Sequence, residues 1–140
     1  MEKPVPWWKG LRPLRIPPGC EIVWNHWEDI EPEDLAEDDS AWLGHFTEDI
    51  LALRIRRARR WHKKTQEQTI FIDLGWYPDG EPKGAYTLQA ILNDDWEAPL
   101  LEMRTRSSRE AADALERWLF QVFMPEQWIE DPAAFRKKWR

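Results

Sequence analysis

Residues 69–92, with the sequence TIFIDLGWYPDGEPKGAYTLQAIL, decide the fold. The first part, 69–77, is rich in β-branched and aromatic residues, and residues 85–92 alternate apolar with polar side chains, which is the period of a strand. Between them, residues 78–84 combine proline, aspartate and glycine, the residues that favour tight turns. The stretch therefore predicts a β-hairpin closed by a rigid turn.

Further elements follow on both sides of this hairpin. The β-branched and aromatic residues of 20–27 and the apolar run of 99–105 predict two more strands. Ser107 or Ser108 begins the clearest helix, 108–123, because Glu110 completes a capping box and an apolar stripe follows. Asp131-Pro132 predicts the start of a short C-terminal helix.

The segment 40–68 supports two interpretations. A strand over about 49–57, followed by a polar basic loop, is favoured because a clear strand partner comes next in the chain. A helix with Trp42 and Phe46 on its apolar face stays open as the alternative.

Together these elements predict an α+β protein. Its antiparallel sheet has about four or five strands, and the helix 108–123 packs on one face, over the hairpin. A length of 140 residues fits a single domain. We divide that domain into a proline-rich, extended arm at 1–19, a core at 20–123 and a tail at 124–140.

Eleven tryptophans supply much of the apolar area available to the core. The side chains expected to be buried lie in predicted strands, at a strand entry or on the helix stripe: Ile72, Trp24, Trp76, Trp96, Leu115 and Trp118. The tryptophans of predicted loops and tails are expected to be exposed in part: Trp7, Trp8, Trp42, Trp61 and Trp139. An exposed tryptophan beside charges is typical of protein–protein contacts.

Composition excludes several classes of protein. No apolar run approaches the ~20 residues that span a bilayer, and the N-terminal residues lack an apolar signal segment, so a cytoplasmic location is expected. The lone cysteine, Cys20, forms neither an intramolecular disulfide nor a cysteine zinc site. The net charge of −6 disfavours a general nucleic-acid binder.

The sequence also lacks the signatures of an enzyme. His26, His45 and His62 do not have the spacing of metal ligands, and no nucleophile, P-loop or dinucleotide motif occurs. His45 with Glu48 or Asp49 is a candidate base and orienting carboxylate, but such neighbours arise by chance in an acidic chain. We therefore predict no catalytic residues, no metal and no cofactor.

Charge is strongly segregated along the chain. Residues 21–49 contain eleven acidic side chains and no Lys or Arg, whereas residues 54–64 contain seven basic side chains and no Asp or Glu. The simplest interpretation is that the two segments lie near one another and compensate.

The acidic segment suggests a binding surface. Pro32 begins one predicted helical turn there and stiffens the loop. Carboxylates on such a loop can take the place of phosphates in a basic cleft of a partner. The residues predicted to bind a partner in this way are Glu28, Asp29, Glu31, Glu33, Asp34, Glu37, Asp38 and Asp39, with Trp42 as an anchor.

The basic segment 54–64 provides the alternative. Clustered cations with an aromatic ring among them are typical of nucleic-acid contacts. Under this hypothesis the chain is a regulatory or nucleic-acid-associated binding module. The residues of this patch are Arg54, Arg56, Arg57, Arg59, Arg60, Trp61, Lys63 and Lys64.

One series of motifs has a recognisable order. It comprises EIVWN at 21–25, DIEP at 29–32, TED at 47–49, IDLGWYPDGEPKG at 72–84, DWEAPL at 95–100 and the Arg-Ser-Ser that precedes the helix. Over about residues 20–120 this order resembles small bacterial immunity proteins encoded beside polymorphic or contact-dependent toxins. The resemblance implies an α+β domain that binds and neutralises one cognate toxin domain in the cytoplasm, without a cofactor. It carries over no individual site residues.

Overall fold

The computed structural model describes residues 10–123 and 128–139, and its centre is a five-stranded antiparallel sheet. Strands adjacent in sequence are adjacent in the sheet: β1 (Cys20–Asn25), β2 (Leu51–Trp61), β3 (Lys64–Tyr77), β4 (Ala85–Leu92) and β5 (Leu101–Thr105). The helices are α1 (Ala41–His45), α2 (Ser108–Arg117) and α3 (Pro132–Trp139), and a π-helical segment (Trp118–Phe123) continues α2. The predicted α+β class with an antiparallel sheet is confirmed.

The hairpin formed by β3 and β4 agrees with the sequence prediction. Ile72 pairs with Ala90 and Trp76 with Tyr86. Gly80 in the connecting turn has a φ of 68°, a conformation that glycine adopts without steric cost. At the start of α2, the Ser107 hydroxyl accepts a hydrogen bond from the Glu110 backbone N–H at 3.1 Å, which confirms the predicted N-cap.

The hydrophobic core lies between α2 and one face of the sheet, which we call the helical face. Alternate residues of β3 point into it, including Ile72 and Trp76, and α2 contacts β4 and β5. Leu115 and Trp118 from the helical segment are also buried, so four of the six side chains predicted to be buried lie in the core. Among the residues described, no helix has the length and apolar character needed to cross a membrane.

We call the opposite face of the sheet the outer face. Among the described residues, no helix packs on it, and it is partly covered by its own side chains and by the loop after β4. Trp24 of β1 and Trp96 of that loop both make edge contacts with Phe71, at centroid distances of 6.3 and 5.7 Å. Trp96 remains 47% exposed, so the prediction that it belongs to the core is wrong. Trp24 is half-buried on this outer face rather than within the core.

The basic segment forms strand rather than loop, so the prediction of a strand at 49–57 followed by a loop is wrong in its second half. β2 continues to Trp61 and pairs with β3 along its whole length. The two-residue turn between them is formed by His62 and Lys63 with φ values of 49° and 63°. Such turns favour Asn-Gly, so neither residue signals the hairpin from sequence. The alternative helix is limited to α1.

The part of the predicted arm that the structure describes, 10–19, lies against the chain that follows β1. The Arg12 N–H donates to the Trp27 carbonyl at 2.8 Å, and the Asp29 N–H donates to the Gly10 carbonyl at 2.9 Å. An isolated bridge joins Leu11 to Glu28. Trp7, Trp8 and residues 124–127 of the predicted tail lie outside the described residues.

Two glycines provide a test of how tightly the chain packs against β3. A Cβ at Gly75 would overlap the backbone carbonyl oxygen of Glu48. A Cβ at Gly44 in α1 would meet no atom within 4 Å. We expect Gly75→Ala to lower the free energy of unfolding by about 1–3 kcal/mol, as overpacking does. Gly44→Ala should leave it unchanged or raise it by up to about 1 kcal/mol.

Urea denaturation of both variants beside the wild type measures this difference. Equal stability of the two variants would contradict the close approach of the Glu48 backbone to Gly75.

Candidate functional site

Glu31, one of the acids predicted to bind a partner, is engaged inside the fold. Its two carboxylate oxygens accept hydrogen bonds from the backbone N–H groups of Ser108, at 3.1 Å, and Arg109, at 2.9 Å. These groups belong to the first turn of α2, where a negative charge is stabilised by the helix dipole. Arg12 also donates to Glu31 at 3.1 Å. The structure therefore gives Glu31 the role of anchoring the acidic segment to α2.

Three further acids of the predicted set have partners within the chain. Asp29 forms an ion pair with Arg12 at 3.2 Å, and Glu28 lies 3.4 Å from Nδ1 of His45. The Asp39 carboxylate accepts a hydrogen bond from the Ala41 N–H at the start of α1, at 2.9 Å. These contacts hold both ends of the acidic segment in place.

Trp42 is buried beneath the acidic segment, so the prediction that it is an accessible anchor is wrong. Only 3% of the residue is exposed. Its indole N–H donates to the Ala36 carbonyl at 2.8 Å, and its ring lies 4.7 Å from Phe46 and 5.7 Å from Trp76. Trp42 therefore attaches the acidic segment to the hydrophobic core.

Five exposed acids lie within residues 33–39 of this segment. Four of them have no ion pair or side-chain hydrogen bond among the described residues, and the fifth, Asp39, uses one carboxylate oxygen as a cap. We call this set the acidic surface: Glu33, Asp34, Glu37, Asp38 and Asp39, all of which are exposed. The backbone beneath it is fixed by the buried Pro32, which begins a 3₁₀ turn closed by a 3.0 Å hydrogen bond from the Asp34 N–H to the Glu31 carbonyl.

A recess of about 440 Å³ borders the acidic surface. Glu33, Glu37 and Leu35 form one side, and Pro82 and Lys83 of the turn between β3 and β4 form the other. Arg106 completes the lining, but its guanidinium donates to the Pro82 and Gly84 carbonyls and lies over the Trp76 ring. The concave side of the acidic surface is therefore built on rigid elements of the fold.

The residues of the predicted basic patch do not form one surface, because β2 directs them alternately to its two faces. Arg54, Arg56 and Arg60 lie on the outer face at alternate positions of the strand. Arg57 lies on the helical face, where it is buried and donates to the Phe123 carbonyl. Arg59 pairs with Glu130, and its guanidinium lies 4.2 Å from the centroid of the Trp128 ring.

The end of the hairpin formed by β2 and β3 carries the other three members of the patch. Trp61 is 50% exposed and makes an edge contact with His62, while Lys63 and Lys64 are exposed beside it. β1 pairs only with residues 51–55 of β2, and β4 only with residues 70–77 of β3. The hairpin therefore projects beyond the rest of the sheet as a two-stranded ribbon.

The acidic surface and the hairpin tip lie at opposite ends of the sheet, so the interpretation that the two charged segments lie together is wrong for these parts, although Glu21 of the acidic segment pairs with Arg54 of the basic one at 3.7 Å. The acidic segment packs near Trp76 at the end of β3, whereas the tip is at Lys64, where β3 begins. At the usual rise of a strand these two positions are about 40 Å apart. The acidic surface and the basic hairpin tip are therefore well separated along β3.

The three histidines are not brought together, although His26 and His45 line one recess with Glu28. His45 faces Glu28 rather than Glu48 or Asp49, and His62 lies in the distant hairpin turn. Within residues 10–123 and 128–139, no group of three or more His, Cys, Asp or Glu side chains is placed to hold a metal ion.

Asp73 is a buried charge that the sequence reasoning missed. It lies on the outer face in the middle of β3 and is 8% exposed, and no side-chain hydrogen bond or ion pair to it occurs among the described residues. Burial, with a smaller effect from Asp49, raises the pKa of this carboxyl to about 6. Nothing in the sequence marks it, because alternation alone assigns it to a solvated face.

Comparisons with known proteins give no relatives: no family model, no curated protein and no solved structure matches this chain. The resemblance to immunity proteins therefore stays a prediction that rests on the order of motifs.

The anchoring role of Glu31 can be tested by truncation. Glu31→Ala leaves two helix N–H groups without their acceptor and leaves Arg12 with Asp29 alone, and we expect a loss of about 1–3 kcal/mol in the free energy of unfolding. Glu33→Ala, two residues away and exposed, should change it by less than about 0.5 kcal/mol. Urea denaturation checks both values, and a similar loss in both variants would show that Glu31 has no special role.

Asp73 should make stability depend on pH. Since its folded-state pKa is raised, the folded protein retains a proton that the unfolded chain releases between about pH 4 and pH 6, so stability falls as the pH rises through this window. We expect Asp73→Asn to be more stable than the wild type by about 1–3 kcal/mol at pH 8 and nearly equal at pH 4.

Denaturation at both pH values, with the exposed Asp38→Asn as control, measures the effect. A destabilised Asp73→Asn variant at pH 8 would show that the carboxylate is satisfied in its charged form.

Proposed function

We propose that this chain is an immunity protein that binds a bacterial toxin domain and blocks its active site with the acidic surface. The observation that supports the proposal most directly is that some acids of the acidic segment are used inside the fold whereas others have no partner there. Glu31 and Trp42 fix this segment from below, and four carboxylates above them are left without partners in the described part of the chain. A rigid display of unpaired charge is suited to a partner of opposite charge.

The chemistry of the partner follows from this surface. Toxin domains that cut nucleic acids or nucleotides need a positively charged cleft to hold phosphates, and carboxylates can occupy the same positions. Because the 3₁₀ turn at Pro32 and the indole of Trp42 hold the loop before binding, little conformational entropy is lost on association. The recess between Glu33 and Lys83 gives a partner side chain a place to insert.

The proposal describes a stoichiometric protein inhibitor rather than an enzyme. It needs no cofactor, and it acts on a toxin domain that is present in the cytoplasm. The toxin is expected to be the variable C-terminal domain of a large secreted protein encoded by the neighbouring reading frame.

Charge reversal of the acidic surface tests the proposal. The variant carries Lys at Glu33, Asp34, Glu37 and Asp38, none of which supports the fold through a described side-chain contact. The matched control carries Lys at four exposed acids outside the acidic segment: Glu67, Asp95, Glu97 and Asp113. Both variants change the net charge equally. Only reversal of the acidic surface should weaken toxin binding, by several kcal/mol, mainly because it places like charges in the cleft.

Survival of cells that express the neighbouring toxin, together with calorimetry on the purified pair, gives the result. If the folded acidic-surface variant protects cells as well as the wild type does, the acidic surface is not the inhibitory site. Failure of the control variant as well would point to net charge rather than to this surface.

A second candidate function is a nucleic-acid-associated module that uses residues 54–64. The projecting ribbon with exposed Trp61, Lys63 and Lys64 supports it, because two-stranded ribbons can enter the major groove of DNA. This function predicts binding to generic duplex or single strand with a steep negative salt dependence. The immunity function predicts no such binding in gel shift near physiological salt.

A further inference from the structure

A second concave site lies on the outer face, at the base of the projecting ribbon. It is a recess of about 550 Å³, within the usual range for small-molecule sites. Cross-strand pairing explains its shape, because Arg54 faces Phe71, Arg56 faces Thr69 and Ala58 faces Glu67. Paired residues of an antiparallel sheet project to the same side, and the short side chains of Ala58 and Thr69 leave a gap between longer neighbours.

Two guanidinium groups form one side of this recess. Arg54 and Arg56 are separated by one residue on β2, so their Cα atoms are about 7 Å apart. Arg54 is only loosely paired with Glu21, with 3.7 Å between Nε and the carboxylate oxygen, and Arg56 is exposed without an ion pair in the described residues. Arginine forks of this kind match the oxygens of a phosphate.

Phe71 is the aromatic residue of the recess lining, and Trp96 stands beside it outside the lining. Trp96 lies against the edge of Phe71 at a centroid distance of 5.7 Å with nearly half of its surface exposed. Aromatic side chains that are partly exposed on a sheet face provide stacking surfaces for planar bases.

Glu67 and Asp94 supply carboxylates at the remaining rim. Carboxylate oxygens accept hydrogen bonds from hydroxyl and amino groups, such as those of a ribose or a base. They also repel a continuous polyphosphate backbone. The mixture of two cations, an aromatic ring and two hydrogen-bond acceptors therefore matches a single nucleotide better than either a bare anion or a nucleic-acid strand.

The geometry points to a nucleotide-binding site on the outer face, which takes a free nucleoside mono- or diphosphate. The phosphate lies between Arg54 and Arg56, the base stacks beside Phe71 and Trp96, and Glu67 and Asp94 accept hydrogen bonds from the sugar or base. This site does not depend on the acidic surface, which lies towards the other end of β3. The nucleotide-site proposal can therefore be tested independently of the toxin-binding proposal.

Calorimetric titration of the full chain with the four common ribonucleoside monophosphates, and with the matching nucleosides, tests the site. We expect at least one monophosphate to bind, and removal of its phosphate to weaken binding about 10-fold or more. Arg56→Ala should cause a similar loss, and Trp96→Ala a loss of about 5-fold or more. Arg60→Ala is the matched control, because Arg60 lies on the same strand and face but outside the recess, and its affinity should equal that of the wild type.

Titration with a single-stranded oligonucleotide of about twelve nucleotides distinguishes a site for free nucleotides from a site for the nucleotides of a nucleic-acid strand. Tighter binding of the strand than of any mononucleotide, with a loss in Arg60→Ala, would overturn the site and favour the nucleic-acid-associated module. The absence of mononucleotide binding at millimolar concentration and low salt would also overturn it. So would an affinity that is unchanged in both Arg56→Ala and Trp96→Ala. NMR signals of the Trp96 indole N–H should shift on binding, whereas those of Trp61 at the tip should not.

Discussion

The indole of Trp76 holds together the end of the molecule that carries the acidic surface. Its ring contacts Phe46 at 4.9 Å, Tyr86 at 5.0 Å and Trp42 at 5.7 Å, and its N–H donates to the Glu81 carbonyl at 2.7 Å. One side chain of β3 thus joins α1, β4 and the turn after β3. Aromatic contacts of this kind add about 0.5–1.5 kcal/mol per pair beyond area burial. The position of the acidic segment depends on this cluster, because the segment is attached to it through Trp42.

β3 then separates the two charged ends of the protein. Its fourteen residues run from the hairpin tip to the aromatic cluster, so the strand acts as a spacer between basic and acidic regions. At about 40 Å the Coulomb interaction between exposed charges is screened by salt, since the Debye length is about 8 Å at physiological ionic strength. Neither end neutralises the other. Each can therefore meet its own partner, and substitutions at one end should leave binding at the other unchanged.

Local signals explain which elements could be predicted from sequence. The turn residues at 78–84 and the Ser107–Glu110 cap act within a few positions, so β3, β4 and the start of α2 were predictable. β2 beyond residue 57 was not, because Arg59 is stabilised by Glu130, far along the chain, as Arg57 at the end of the predicted strand is by the Phe123 carbonyl. Charged residues can occupy a strand when distant segments cover their aliphatic stems and satisfy their donors.

The distinction between local signals and long-range contacts also applies to the candidate site. Sequence identified the acidic segment but gave equal weight to all its carboxylates, since the partners of Glu31 lie 77 and 78 positions away at the start of α2. Once the acids with internal contacts are left out of the predicted set, the carboxylates that remain form a cluster of like charges. Such a cluster lowers the stability of the free protein through mutual repulsion. A cationic partner relieves that repulsion on binding, so the cluster that weakens the isolated fold is also the source of favourable electrostatic energy in a complex.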